Sequence, residues 1–491
     1  MLICNGGVIM VSLLLLLQCL LLLAAARIRV SGAQLASCVQ EMAALCGETR
    51  AIDPLNCLRC CGQNQHQLKT AGCSNADTHA FCDAAASFQF GAPHVVHSQP
   101  GPVHASPVIL NDTVLFSTLE PDCAFYRLNV STGKVVWRFA GPHRDSADPA
   151  SSRCGLRATA RVSRTPTGAH HIHIGSDNNS FIALDAASGD VVWSNMERSA
   201  TCVDSGTRFR DGRPCEVYST ALVLPRSGLL LEKGRRDVRI QGSEDGIIRA
   251  FDAATGDHIW SKTVGEEANG SPVANPANNS QVVIATDDGF LYCLSVETGE
   301  ECGQPLATCG GMDTMPSVDP VENVLFYTCY YPPDPNSLAD HPRGWVAAVD
   351  MRTFAHLWLN NGTGGIPFYS PAHRALFVGY MDGHVEALNC SNGRTLWVLD
   401  NIPGAKGEFF GSFIWDNLRD LLYGVNLKGT AVAISPHTGR LVSSVHVAST
   451  VANVLGPALS NDYGTLYVGA YSGSQGGKLI ELALPRIIPK Y

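Results

Sequence analysis

Three groups of residues have the types and spacing to do chemistry. Cys57-x-x-Cys60-Cys61 in "NCLRCC" has the spacing of a zinc knuckle or a redox dithiol. His171 and His173 in "HHIHIG" are two apart, so a strand would put both imidazoles on one face, as a metal pair needs. Asp245, Asp288 and Asp382, in "SEDG", "TDDG" and "YMDG", offer the hard oxygens that calcium takes. Each group also has a plainer reading. The cysteines lie in a dense cluster and read as structural disulfides. The histidines lack an evident third ligand and read as one face of an outer strand. The aspartates have no EF-hand spacing and stand beside turn glycines, where Asp favours the turn itself. No nucleophile elbow, phosphate-binding loop, HExxH or dinucleotide fingerprint occurs. No catalytic residue and no metal site is therefore assigned.

Composition sets the compartment. The chain has 491 residues, a net charge of −9 and 16% charged residues, so nothing supports nucleic-acid binding. Residues 8–26 form an apolar run, and Ser31 and Ala33 stand like a cleavage site before Gln34, so residues 1–33 read as a signal peptide. If retained, the run is long enough to span a bilayer. Arg27 and Arg29 would then favour a cytosolic body. The cysteines oppose that. Of 18, two (Cys4 and Cys19) lie in the signal, seven crowd into residues 38–82 and nine spread over residues 123–390, as in a secreted, disulfide-bonded protein. Both counts are odd, so either thiols remain free or one bridge joins the two regions. Seven N-x-S/T sequons, at Asn111, Asn129, Asn178, Asn269, Asn278, Asn361 and Asn389, agree with that route. Asn269 is the poorest acceptor because Pro272 follows its serine. The expected location is extracellular, with the ER lumen or an uncleaved anchor as alternatives. "RIIPKY" at the C-terminus contains no retention tetrapeptide.

The elements that would position any site come from a repeat. "ALDAASGDVVW", "AFDAATGDHIW" and "ALNCSNGRTLW" each place a glycine four residues before a tryptophan. The turn positions are Gly133, Gly189, Gly256, Gly299, Phe354, Gly393 and Gly439, spaced 39 to 67 residues apart. Trp137, Trp193, Trp260, Trp358 and Trp397 follow five of them; Gly303 and Ser443 stand at the other two. Upstream, Asp-Gly or Asn-rich turns divide alternating apolar runs, as tight hairpins require. With a leading strand such as "HASPVIL", each unit makes four antiparallel strands. Such sheets bury both faces only when stacked around an axis. The Trp then locks one blade to the next. Trp345 lies outside the repeat position, so its truncation is expected to cost less than that of Trp260.

An eighth unit starts at Val454 and lacks its last strand, which residues 86–96 could supply. The fold is all-β: an eight-bladed propeller, with seven blades as the alternative, behind a small disulfide-rich module. The divisions are a signal over 1–33, the cysteine-rich module over 34–85, the propeller over 86–486 and a tail over 487–491. Within the propeller, Cys202 and Cys215 are expected to clip an arginine-bearing insertion.

The motif "LDAASGDVVW" and its copies closely resemble the PQQ-like (quinoprotein alcohol dehydrogenase-like) propeller repeat. That superfamily includes quinoprotein dehydrogenases, a bacterial outer-membrane assembly lipoprotein and the lumenal domain of an unfolded-protein sensor, so the resemblance implies fold before function. In the enzymes a vicinal disulfide and a Trp sandwich the quinone, and Glu, Asn and Asp hold calcium beside it. The adjacent cysteines here, Cys60 and Cys61, lie outside the propeller, so no cofactor residue is carried over.

The starts of the inner strands should face the mouth of the ring. They carry His104, Tyr218, Asn269, Asp313, Tyr369, Phe409 and Asn453, a mixed polar and aromatic rim without a recognisable carboxylate–amide set. The reading is a secreted or lumenal scaffold that binds a protein or glycan, leaning away from an enzyme. No cofactor is expected. The alternative is a quinone-dependent oxidoreductase using PQQ and calcium.

Overall fold

The computed structural model describes residues 42, 45–46, 54–70, 73, 75, 78, 88–142, 155–165, 167–177, 179–196, 217–224, 237–265, 267–309, 315–329, 344–400, 402, 407–449, 455–471 and 476–485. The chain divides into two compact units, Met1–Phe88 with Arg486–Tyr491, and Gln89–Pro485.

The first unit contains helices Pro54–Gln63 and Gln65–Thr70. Its core is small: Met42 and Leu68 pack among Cys46, Cys57, Cys61 and Cys73. Cys46 is bonded to Cys60, and Cys57 and Cys73 also lie in disulfides. With so few large apolar side chains, cross-links must supply what burial cannot.

The second unit is a ring of eight four-stranded antiparallel sheets. The inner strands of blades 1 to 7 are Val108–Leu110, Arg161–Arg164, Leu222–Leu224, Val273–Ala274, Ser317–Asp319, Phe368–Ser370 and Ile414–Asp416. Blade 8 has Ala458–Leu459, Thr465–Tyr471 and Gly477–Ala483, and His94–Gln99 completes it as the outer strand. Val95 pairs with Ile480 and Gln99 with Gly477. Chain-end closure thus occurs as the missing strand requires, a few residues beyond the segment read for it. Middle strands such as Leu421–Val425 and Thr430–Ile434 are buried throughout, whereas the outer strand Ala355–Asn361 exposes alternate residues. That is how a sheet sandwiched between neighbours differs from its own edge.

Five junctions share one device. The indoles of Trp137, Trp193, Trp260, Trp358 and Trp397 donate to the carbonyls of Ala186, Ala253, Val296, Cys390 and Pro436 on the following blade, at 2.8–3.1 Å. Each accepting carbonyl lies three residues before that blade's turn glycine. Gly189, Gly256, Gly299, Gly393 and Gly439 have φ of 68–80°, and a Cβ on any of them would come within 2.4–2.6 Å of the indole above. The glycine therefore serves both the left-handed turn and the close approach of the ring. Across the strand pair, Trp193, Trp260, Trp358 and Trp397 face alanines 183, 250, 348 and 387, small partners that leave the indole free to reach the next blade. Beside each pair the register shifts by a bulge, which increases the local twist.

The turns are capped from within. Asp252 Oδ1 accepts the backbone N–H groups of Ala254 and Thr255. Asp185 does the same for Ala187 and Ser188, and these backbone bonds, Ser188's foremost, hold its carboxyl below the usual range. Asn129 and Asn389 occupy the same position and cap with their amide oxygens, so these two sequons coincide with turn caps.

Trp345, expected to matter less, is 8% exposed, and its indole donates to the Tyr327 hydroxyl. It is as much a core residue as the repeat tryptophans. Cys202, Cys215 and Asn178 lie outside the described residues.

Candidate functional site

Inner-strand starts and the turns between second and third strands fall at one end of each blade. His104 leads into blade 1 there, and its Nδ1 approaches the Arg157 carbonyl oxygen at 3.4 Å. Arg157, leading into blade 2, donates to Asp177 at 3.0 Å and lies 5.2 Å above the Tyr218 ring of blade 3. Burial, and then the Arg157 charge, push the His104 pKa down to about 4, so its imidazole is neutral at physiological pH. Hydroxyl bonds stitch the same end together. Thr159 Oγ1 accepts the Ser106 amide, and Ser271 Oγ accepts the Thr220 amide.

Blade 4 contributes a second group. Asn269 is 5% exposed, and its Nδ2 donates to Glu267 Oε2 at 2.6 Å and Asp287 Oδ2 at 3.2 Å. Its Oδ1 is buried and makes no hydrogen bond. A carboxylate–amide set therefore does stand at this end, contrary to the reading of the rim from sequence. Its members were missed because Glu267 precedes the strand and Asp287 sits beside the turn-forming Asp288. The chemistry of the set is that of a hard-cation site. The Glu, Asn and Asp that the resemblance implies for calcium are thus matched by residue type. The quinone-stacking disulfide is not matched: Cys60 is bonded to Cys46 rather than to its neighbour. A glycan on Asn269 Nδ2 would take the place of one of its two donated N–H groups and break at least one of these bonds.

The remaining rim residues part company. Tyr369 stacks on Phe326 at 5.4 Å and donates its hydroxyl to Asp319 at 2.5 Å, so it fills the contact between blades 5 and 6. Phe409 is fully buried beside Phe413, close against the backbone of Gly379. Phe409 turns from the mouth because a blade interface covers its large apolar ring completely, whereas Tyr369 stays half-buried, its ring on Phe326 and its hydroxyl on Asp319. Asp313 and Asn453 lie outside the described residues.

Asp245 and Asp382 act as turn formers, whereas Asp288 accepts the Thr286 and Tyr292 hydroxyls and the Gly265 amide. Asp245 Oδ1 accepts the Ile247 amide and Asp382 Oδ1 the His384 amide. His171 and His173 do share a strand face, with rings 6.4 Å apart. His173, however, is fully buried and engages Ser163 Oγ at 2.9 Å. Burial, with the Arg239 charge beside it, keeps it neutral. Among the described residues, no third metal ligand joins this pair.

The perimeter is different in kind. Outer strands expose paired aliphatic residues: Val135 and Val136 on blade 1, Val191 and Val192 on blade 2, Leu357 and Leu359 on blade 5, Leu396 and Val398 on blade 6, each 40–51% exposed. Asn111, Asn129, Asn278, Asn361 and Asn389 all lie at exposed or half-exposed positions. No helix among the described residues is long and apolar enough to cross a membrane.

Comparison with known proteins agrees with this architecture. The family model "PQQ: Glucose/ethanol/alcohol dehydrogenase, beta-propeller domain" matches residues 87–283. The outer membrane protein assembly factor BamB of Shewanella oneidensis is 25% identical over 218 residues, which cover 39% of this chain and 50% of that protein. The chain thus spans about half the length of the curated relative it matches. BamB from Moraxella catarrhalis superposes with a TM-score of 0.53 at 16% identity, over 79% of this chain and 99% of that one. A europium-containing methanol dehydrogenase gives 0.54 at 11% identity, over 80% and 94%. A quinohemoprotein alcohol dehydrogenase from Comamonas testosteroni gives 0.52 at 12%, over 82% and 78%. At these identities the solved structures share the fold alone. The match to the PQQ beta-propeller model is thus one of residues 87–283, and the solved quinoprotein propellers share the fold.

Proposed function

We propose that this chain is a propeller scaffold that binds a protein partner in an oxidising compartment. The observation that carries the reading is the perimeter: exposed aliphatic pairs on the outer strands of blades 1, 2, 5 and 6, on a ring held rigid by its tryptophan locks. Outer strands also present unpaired backbone groups to which another chain can add. The Shewanella relative is named for outer membrane protein assembly, which favours a protein over a glycan as the bound class. Disulfides in both units favour secretion or a lumenal site.

The oxidoreductase alternative rests on Glu267, Asn269 and Asp287. If a cation and quinone were bound, the cation would polarise the quinone carbonyl. These three residues are the ones that would hold the cation.

The test places a photo-crosslinking residue at Leu357 or Leu396 in the secreted protein, with a third at Val321 as a control. The expected result is one discrete adduct from the two blade positions and none from Val321. With the crosslinker moved to Val398, which should give the same adduct, the double variant Leu357→Glu/Leu396→Glu should abolish it while leaving Tm unchanged. Absence of any adduct, together with alcohol-dependent dye reduction in PQQ and calcium that Glu267→Gln removes, would overturn the scaffold reading.

A further inference from the structure

At the opposite end of the ring, turns of blades 6 and 7 bring together two imidazoles and a carboxylate. His373 comes from the turn after the inner strand of blade 6. Asp420 comes from the matching turn of blade 7, and His437 from that blade's last turn. His373 Nε2 is 2.9 Å from Asp420 Oδ1, and His437 Nε2 is 2.8 Å from Asp420 Oδ2. One donor atom from each residue lies within 4.8 Å of the others.

The surroundings hold these groups in place. Ser370 Oγ lies 2.7 Å from His373 Nδ1. The Trp415 indole donates to Asp420 Oδ1 at 3.0 Å and meets the His373 ring edge to face at 5.2 Å. The His373 and Asp420 side chains are 5% and 11% exposed, whereas His437 is 37% exposed. The cluster is therefore buried on one side and open to solvent on the other.

We propose that His373, Asp420 and His437 form a binding site for a divalent transition-metal ion of the zinc class, tying blade 6 to blade 7. Two neutral imidazoles and a carboxylate are a borderline donor set, which suits zinc and disfavours calcium or magnesium. Tetrahedral bonds of about 2.0–2.1 Å put ligand atoms roughly 3.3 Å apart. The two bonded pairs need open only slightly, and the two imidazoles close toward each other. Without metal, both Nε2 atoms carry protons, because a carboxylate only accepts. On binding, each proton moves to the other ring nitrogen. For His373 the new Nδ1–H finds Ser370 Oγ waiting as its acceptor, the outer-shell arrangement that metal-bound histidines use. The open side at His437 leaves room for water as fourth ligand. This inference is independent of the scaffold reading.

The experiment is titration calorimetry of chelator-dialysed, intact protein with zinc chloride, and visible absorption with cobalt chloride. The expected result is one ion per chain, with the intense absorption of tetrahedral cobalt. His437→Ala, a half-exposed position that leaves the core intact, and Asp420→Asn should each weaken binding by about 10-fold or more. His171→Ala should change nothing. Failure to bind one equivalent, or undiminished binding by His437→Ala, would show that the cluster is a hydrogen-bonded network only and overturn the proposal.

Discussion

Two neighbouring junctions of the ring close by different chemistry. Between blades 3 and 4, Trp260 covers Gly299 and donates to the Val296 carbonyl at 2.9 Å. Between blades 4 and 5 there is no such indole. Gly303 stands where the tryptophan would be, with nothing within 4 Å of a Cβ built on it. The facing turn carries Phe354 in place of glycine, at φ 54°. A disulfide joins the blades instead, from Cys309 after blade 4 to Cys329 of blade 5, and Cys293–Cys302 pins the last turn of blade 4. Phe354 packs against the same core cluster. The comparison separates two demands on the turn. Left-handed backbone alone tolerates phenylalanine; the indole above is what excludes a side chain. Ser443 marks another tryptophan-less junction, between blades 7 and 8. There the N-terminal lead-in covers the gap: the Phe90 amide donates to Ser443 Oγ and its ring lies 5.8 Å from Tyr423. Arg419 adds a clip from Asp416 to the Tyr463 carbonyl.

The largest effect that would test this contrast is Trp260→Ala, expected to cost about 3–5 kcal/mol in denaturant unfolding. Trp345→Ala should now cost as much, since its indole is equally buried. Next, Gly299→Ala should cost on the order of 2–4 kcal/mol, from the left-handed φ and the clash with the indole. In the Trp260→Ala background only the backbone share, roughly 1–2 kcal/mol, should remain. Strict additivity in that cycle would break the link between ring and glycine. Replacing Cys309 and Cys329 together by serine should cost about 3 kcal/mol, as expected for a loop of this length, and should expose the junction between blades 4 and 5 to protease first.

Smaller effects sharpen the picture. His104 titrates near 4 in the folded chain, against about 6.5 unfolded. The unfolded state therefore binds more protons between those values, so stability is complete above pH 6.5 and falls as the pH drops toward 4. His104→Gln should flatten the loss between pH 7 and 5 by on the order of 1–2 kcal/mol; an unchanged slope would remove His104 from the account. Phe354→Gly should shift stability by less than about 1 kcal/mol, because relief of the left-handed φ offsets lost packing.

How much of the site was legible follows the same division. His104 and Tyr218 could be placed because each opens a unit of the repeat. Arg157, which joins them, carries no periodic signal, and its partner Asp177 stands in a turn without the Asp-Gly pair. Glu267 and Asp287 were hidden for a similar reason. Tyr369 and Phe409 were misplaced because alternation tells which residues share a face, not whether that face meets solvent or a neighbouring blade. His373, Asp420 and His437 lie 47 and 17 residues apart along the chain, in three turns that look ordinary one at a time.

Sequence by itself determined the repeat, the four-stranded blade and the tryptophan lock, and pointed to eight blades closed by a strand near the N-terminal side. All of these are local or periodic: turn chemistry, strand alternation and one aromatic per unit are written within some fifty residues and copied. Only the tertiary structure decided which side chains meet across blades. It placed Asn269 between two carboxylates, turned Phe409 inward, replaced a missing indole by a disulfide and gathered two histidines around Asp420. Such contacts depend on the rotation between neighbouring blades and the lean of each strand. Those follow from packing the whole ring at once, and no single repeat encodes them.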